Sequence, residues 1–422
     1  VRGKPPVFAL ALIFPGLSVA CSSGAGEQRA PGATEADAGS AVSLVGPPPA
    51  DVPVAGVSAE WVSEFNRGDA LFDVIARQAD GLGPLFTRQA CASCHEGALR
   101  GPGFVQKFAL VLGDAITPAP DQSALAYGHT SHPFLAAGAT TPIAPPNDPS
   151  VRVTMRLGPP VLGRGYLEAI LDSEIVRVAD AQAAAGGAIR GKVNYVTYAS
   201  EANPDQRFHQ YVKGDTVIGR FGLKARVATL DDFTADALAF DMGLTSPLRP
   251  EEFPNPDRIA DDAKPGIDIS LDGVNQRADY TRLLAIPPRA RPSGNGAELF
   301  EQAQCSHCHV PALRTRADYP IPELAGIDAP VFTDLLLHDM GDALSDSLSG
   351  GDGVAGPRDW RTAPLIGLSY FTTYLHDGRA ATIRDAILMH DGNGSEAHDS
   401  VALFQTLAAP EQDALVQYVG AL

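Results

Sequence analysis

Cysteine is scarce in this chain, with five in 422 residues, so whatever cysteine chemistry it performs is confined to a few places. Positive charge is short as well: 32 Lys and Arg stand against 50 Asp and Glu, for a formal charge of −18. That balance excludes nucleic acid as a partner, because phosphate binding needs a basic surface. Beyond the first residues no apolar run approaches the roughly twenty residues of a transmembrane helix, so the remainder is expected to be soluble. Hydrophobic alternation of useful length is also missing, which points away from a sheet-built fold and toward a mainly α one. What is present is a 45% hydrophobic composition, enough at this length for a large core and two or three domains.

The chain opens with Arg2 and Lys4, an apolar stretch from Pro5 to Val19, and then Ala20-Cys21. This is the layout of a secretory signal with a small residue at the cut. A Cys directly after that cut resembles the lipobox of bacterial lipoproteins, although Ser18 stands where Leu is usual and Leu17 sits one place early. An ordinary signal peptide is the alternative. From Ser22 to about Val54 the sequence is rich in Ala, Gly, Pro and Ser, the composition of a tether. The expected organisation is a lipoprotein-type signal peptide at 1–20, a flexible tether at 21–58, an N-terminal domain at 59–290 and a C-terminal one at 291–422. The expected location is the periplasm, on the outer membrane through the lipid. An acidic exterior there would steer a basic redox partner.

Four of the five cysteines form two copies of C-x-x-C-H, "CASCH" at Cys91, Cys94 and His95 and "CSHCH" at Cys305, Cys308 and His309. This spacing lets two thioethers reach one porphyrin edge while the following His becomes the proximal iron ligand. Competing readings are a Cys₄ zinc site, disulfides and thiol exchange. The His after each pair would then be a coincidence twice over. Two covalent haems c are expected, with proximal ligands His95 and His309.

The halves echo each other. "GPLFTRQACASCHEG" matches "GAELFEQAQCSHCHVP" with Phe86 against Phe300, and "RLGPPVLG" (156–163) matches "RTAPLIG" (361–367). In the third echo Thr229 and Thr382 stand as N-caps, with Asp232 and Asp385 three residues on. If Thr382 caps a helix, Ile383, Ala386, Ile387 and His390 share one apolar stripe, and Met389 lies on another face. His390 is then either a core histidine or the second ligand of the C-terminal iron. The first half has Ala237 at the matching place. One closed haem and one reactive haem follow from that asymmetry.

"CASCH", "RLGPPVLGRGYLEAI", "GRFGLKA", "DMGLTSP", "CSHCHVPAL", "TDLLLHDMGDALSD", "WRTAPLIGL" and "YLHDGRAATIRDAILMHDG" together resemble the bacterial di-haem oxidoreductase family of peroxidase type, over about Ala59 to Leu422. That family is similar to the di-haem cytochrome c peroxidases. The resemblance implies a mainly α fold of two cytochrome c-like haem domains with long loops, and calcium as a further cofactor. It places the distal ligand of the C-terminal haem about fourteen residues after the His of "HDG", which from His376 is His390. Met340 in "HDMG" is the rival. It also implies an acid over the N-terminal haem, here Asp241, as general acid–base. Arg220 is a candidate for stabilising charge on a bound oxygen species or for pairing with a haem propionate, and Glu168 is another pocket acid. His129 and His132 are candidates to cap the N-terminal iron in a resting state. Leu223 stands where the family often has Trp, so Trp360 or Phe221 would have to lie between the haems. Since thioethers would consume all four thiols, thiol oxidation is a poor activity for these residues.

The expected function is an exported peroxidase-like enzyme. A small electron-transfer protein, a cytochrome c or cupredoxin, would feed the C-terminal haem, and peroxide or another small oxidant would be reduced at the N-terminal one. Alternatives are a pure electron-transfer cytochrome and a maturation-type oxidase acting on a protein partner.

Overall fold

The computed structural model describes residues 51–99, 101, 103–136, 138–290, 294–348 and 353–422. The expected signal peptide, Cys21 and most of the tether lie outside the described residues, as do residues 291–293 beside the expected domain boundary. The described residues form one compact unit.

The α-helices are α1 (Ala59–Phe72), α2 (Arg164–Ala169), α3 (Asp172–Ala185), α4 (Leu230–Met242), α5 (Leu271–Leu283), α6 (Gly296–Gln302), α7 (Ile383–Leu388), α8 (His398–Thr406) and α9 (Ala409–Gly420). Ser58 caps α1 by accepting from Trp61 N at 3.3 Å, and Ser270 caps α5 through Gly273 N at 3.1 Å, each satisfying an otherwise unpaired N–H. The α1 stripe of Phe65, Gly68 and Phe72 is buried against α5. At the crossing a Cβ on Gly68 would lie 2.2 Å from Gln276 O and 2.6 Å from Tyr280 Cβ. Only glycine lets the two backbones come so close.

The same device recurs where α6 crosses α9. A Cβ on Gly296 would lie 2.5 Å from Ala414 O and 2.6 Å from Tyr418 Cβ. Four residues after each glycine a Phe meets that Tyr, with ring centroids 5.0 Å apart for Phe72 and Tyr280 and 5.6 Å for Phe300 and Tyr418. Phe72 is therefore the counterpart of Phe300. The expected counterpart, Phe86, lies instead in a two-residue strand, because extra chain separates α1 from Cys91.

Strands occur as two-stranded antiparallel ribbons: β1 (Leu85–Phe86) with β3 (Phe134–Leu135), β2 (Phe104–Leu110) with β4 (Val151–Leu157), β5 (Tyr195–Thr197) with β6 (Thr216–Ile218), β7 (Leu313–Arg314) with β8 (Asp328–Ala329), and β9 (Leu337–Asp339) with β10 (Asp359–Arg361). The described residues are 32% helical and 15% strand, which corrects the expected mainly α fold of two cytochrome c-like domains. The physical reason is length. Eight of these ten strands have two or three residues, too few for an alternation to register. Only β4 carries a readable signal, with Val151, Val153, Met155 and Leu157 alternating.

The paired echoes meet inside the core. Leu162 and Ile366 belong to one hydrophobic cluster, and a Cβ on Gly163 would touch Ile366 Cδ1 at 3.1 Å. Thr229 and Thr382 both cap as their spacing suggests, accepting from Asp232 N at 3.3 Å and Asp385 N at 3.0 Å. These caps fix where α4 and α7 begin, and so which residues face the two C-x-x-C-H segments.

Candidate functional site

Cys305 to His307 form a single 3₁₀ turn, and His309 N donates to Cys305 O at 2.9 Å. The turn brings Cys305, Cys308 and His309 to one cavity of about 270 Å³, which is also lined by Ile383, Ala386, Ile387 and His390. All four members of the α7 stripe therefore face the same space. Met389 is 36% exposed and does not line it. Met340 does, so both rival ligands reach the cavity. His309 Nδ1 donates to Phe332 O at 3.1 Å and His390 Nδ1 to Ala386 O at 2.6 Å. Each bond fixes the tautomer and leaves Nε2 as the lone pair. Burial, then the neighbouring His390, pushes His309 down to about 4, and burial lowers His390. Both are neutral at pH 7, the form that binds iron.

The N-terminal motif has the same turn at Cys91–Ser93, with His95 N donating to Cys91 O at 3.0 Å. Here His95 Nδ1 is buried without a hydrogen-bond partner, while backbone at Pro159 and Leu99 bonds to the ring. Burial pushes His95 down to about 4. Phe72 packs 6.2 Å from its ring, and a Cβ on Gly103 would overlap Cys94 Sγ at 2.2 Å. Leu99 packs against the clusters of both motifs. Asp241, near the end of α4, accepts Thr87 N at 2.7 Å and Arg88 N at 3.3 Å through its carbonyl. Burial pushes its carboxyl up, against the opposing pull of Lys107, and its charge acts on the thiols of Cys91 and Cys94.

The cysteines themselves separate the competing readings. Burial pushes Cys94 up to about 11 and Cys305 up to about 12, whereas thiol exchange needs a lowered pKa. Among the described residues the four motif cysteines form no disulfide, and no ligand-sized cluster joins the two pairs as zinc would require. Two buried imidazoles with thiols beside them fit haem c.

Other expected residues have different work. Glu168 accepts from Arg282 Nε at 2.7 Å and Nη2 at 3.2 Å, from Tyr319 Oη at 2.8 Å and from Leu230 N at 2.8 Å. It ties α2, α4 and α5 together and has no free oxygen to offer a substrate. Arg220 donates to the carbonyls of Leu167, Glu168 and Ile170 and to Asp172, holding the α2–α3 turn. His132 lies with Nε2 2.6 Å from Phe240 O and Nδ1 3.1 Å from Thr130 O, leaving no nitrogen for iron. His129 Nδ1 meets Phe108 O at 2.9 Å. Phe221 stacks on Phe233 in a separate cluster. Trp360 does line the cavity, stacked on His376 with centroids 3.8 Å apart and with Lys224 Nζ 3.7 Å from its ring centre.

Sequence reading missed several groups. His338 also lines the cavity, held by Asp334 at 2.8 Å and Glu396 at 2.6 Å, with Cys308 Sγ at 3.8 Å. Burial opposes its charge, but Asp334 carries its pKa well above the ordinary range. Arg164 and Arg361 line the cavity as well; Arg361 opens the second echoed Pro-Gly segment, whereas Arg164 follows the first one and is not its echoed Arg, which is Arg156. Away from the cavity, Glu252, Asp262 and Asp268 bring one oxygen each within 4.8 Å of one another, and each has one buried oxygen without a partner.

No curated protein matches this chain. Among solved structures, Kuenenia stuttgartiensis hydrazine synthase pressurised with 20 bar xenon is similar at 16% identity and TM-score 0.37, over 94% of this chain and 100% of that one. That likeness is too distant to carry an argument. Residues 146–422 match the family described as "di-haem oxidoreductase, putative peroxidase". The match includes Cys305, Cys308 and His309 and begins after the first motif, whose Cys91, Cys94 and His95 lie just upstream. With about two thirds of its length matched, the chain belongs to this di-haem oxidoreductase family.

Proposed function

We propose that this haem oxidoreductase is an exported, peroxidase-like enzyme carrying two covalent haems c. Cys91 and Cys94, and Cys305 and Cys308, would form the thioethers, with His95 and His309 as proximal ligands. When bound, haem supplies one-electron chemistry and a metal site for a small oxidant. The observation that carries the reading is the asymmetry between the motifs. In the same cavity as His309 stands a second, half-buried imidazole, His390, with its tautomer fixed for ligation. In the first half the corresponding place on α4 is Ala237, and the group near the thiols is the Asp241 carboxyl.

His390, in preference to Met340, would close the C-terminal site, which suits electron entry. The N-terminal site would stay open to peroxide. There Asp241 would hold a proton on its carboxyl, raised by burial, and release it to the oxygen that leaves. Trp360 and His376, stacked inside the cavity, would keep an apolar, water-poor path beside the C-terminal motif. Glu168 and Arg220 have no part in this chemistry, since their polar atoms hold backbone and neighbouring side chains. Calcium, if bound, would take the three partnerless oxygens of Glu252, Asp262 and Asp268, which are hard ligands suited to it. The acidic surface supports a basic cytochrome c or cupredoxin as donor, and the sequence around Cys21 supports a lipid anchor on the periplasmic side of the outer membrane.

The test is optical and EPR spectroscopy of the oxidised and half-reduced protein, with and without peroxide, alongside peroxide turnover. A high-spin signal that peroxide abolishes is expected. Unchanging low-spin signals from both haems, without turnover, would make the protein a carrier of electrons only.

A further inference from the structure

Buried cations in this protein are paired as a rule. Arg282 meets Glu168, Asp231 and Asp279, Arg249 meets Asp232, and Lys224 reaches Asp346. Arg277, which does not line the cavity, and the two arginines that do line it are exceptions, whereas His338 in the same lining is paired with Asp334 and Glu396. Arg164 is 6% exposed and Arg361 7% exposed, and among the described residues neither has a carboxylate oxygen within 4.0 Å. Arg164 Nε donates to Pro160 O at 2.7 Å, its Nη2 shares that oxygen, and its Nη1 is buried without a partner. Arg361 Nε donates to Gly222 O at 2.9 Å and Nη1 to Thr362 O at 2.9 Å. Carbonyls hold both guanidinium groups in place; Asp334 acts on Arg361 from beyond contact distance, and no carboxylate touches either group among the described residues.

Burial, with Arg361 nearby, pushes Arg164 down to about 9, and burial pushes Arg361 down to about 10. Two like charges in a mostly apolar cavity are costly unless an anion joins them. The cavity that holds them also holds Cys305, Cys308, His309 and His390. Arg164 reaches further, since its charge also acts on His95. Arg164 thus bears on both motifs, and Arg361 on the second. Their elements explain the placement: Arg164 opens α2 directly after the first Pro-Gly echo, and Arg361 ends β10 at the start of the second.

We propose that Arg164 and Arg361 form a carboxylate seat in this cavity, and that it takes haem propionate groups. This rests on the haem reading above. A guanidinium presents a planar fork that matches a carboxylate, and haem brings carboxylates into a cavity whose lining is otherwise mostly apolar. Arg220, the sequence candidate for such a partner, already has a carboxylate, since its Nη2 meets Asp172 and its Nη1 three carbonyls, although its Nε is buried without a partner.

The experiment begins by measuring covalently attached haem in the wild-type holoprotein. Absence of attached haem would defeat the haem reading itself, and the seat with it. With haem present, resonance Raman spectra and potentiometric titrations are recorded for Arg164→Gln, Arg361→Gln, Arg164→Lys and Arg361→Lys. The expected result is a shift of the propionate bending bands in all four. In the Gln variants the reduced-to-oxidised ratio of one haem at fixed potential should also fall up to tenfold, equivalent to about 59 mV for one electron, because a nearby positive charge is lost. The Lys variants keep the charge, so they should move the bands with a smaller change of potential. They also serve if a Gln variant fails to fold. Unmoved propionate bands in the Lys and Gln variants would overturn the proposal. So would wild-type potentials that follow added inorganic phosphate, since the seat would then be taking a free anion.

Discussion

Replacing Glu168 with Gln should unfold this protein more easily, and the reason lies in the donors around the carboxylate. Its two oxygens accept from Arg282 Nε, Arg282 Nη2, Tyr319 Oη and Leu230 N. Glutamine keeps the size but turns one oxygen into an NH₂ group, which would then face donors. It would also remove the charge that Arg282 meets, leaving Asp231 at 3.3 Å and Asp279 at 2.9 Å to share that cation. Breaking a buried pair of this kind costs about 3–5 kcal/mol, and the remaining carboxylates should hold Glu168→Gln to the lower part of that range. Since α2, α4 and α5 all meet at this point, the loss should appear in global unfolding. The assay is urea denaturation followed by far-ultraviolet circular dichroism, with haem absorbance as a second probe. An unchanged midpoint with lost turnover would show that Glu168 acts on substrate and would refute the reasoning.

Gly68→Ala and Gly296→Ala should each destabilise by about 1–3 kcal/mol through overpacking at the α1–α5 and α6–α9 crossings, outweighing the roughly 1 kcal/mol alanine gains as a helix former; a raised melting temperature for either would contradict the close approach. Asp241→Asn should lower peroxide turnover and flatten its alkaline limb. As a proton donor with a raised pKa, Asp241 is active below that pKa and lost as pH rises through it, so a pH profile identical to wild type would remove it from the mechanism. Without divalent cations, Glu252 has a folded pKa of about 7 against an ordinary 4.5. Its contribution to stability is present below the ordinary value and lost as pH rises through about 7. Chelator should therefore lower the melting temperature at pH 8 more than at pH 5, with calcium restoring it; equal effects at both pH values would leave the acidic trio without an ion.

The haem chemistry was legible in the sequence because its spacing is short and local. Each C-x-x-C-H closes within one turn, and the apolar stripe ending at His390 needs only the period of a helix and the Thr382 cap. The fold was less legible. Strands of two or three residues, such as Leu313–Arg314, carry no period, and the duplication lies in Gly68 and Gly296 meeting partners far along the chain. The roles of Glu168 and Arg220 were hidden for the same reason, since Arg282 and Asp172 are distant in sequence or on another element. Arg361 could have been suspected from its echo, but Arg164 could not, and only the structure reveals that neither touches a carboxylate among the described residues.

The central claim is that His390 closes the C-terminal haem while the N-terminal haem has no such ligand. EPR of the oxidised holoprotein, wild type against His390→Ala, tests it most directly. One low-spin signal from a haem with two His ligands should vanish in the variant while the other haem's signal persists. A spectrum that the substitution leaves unchanged would contradict the account.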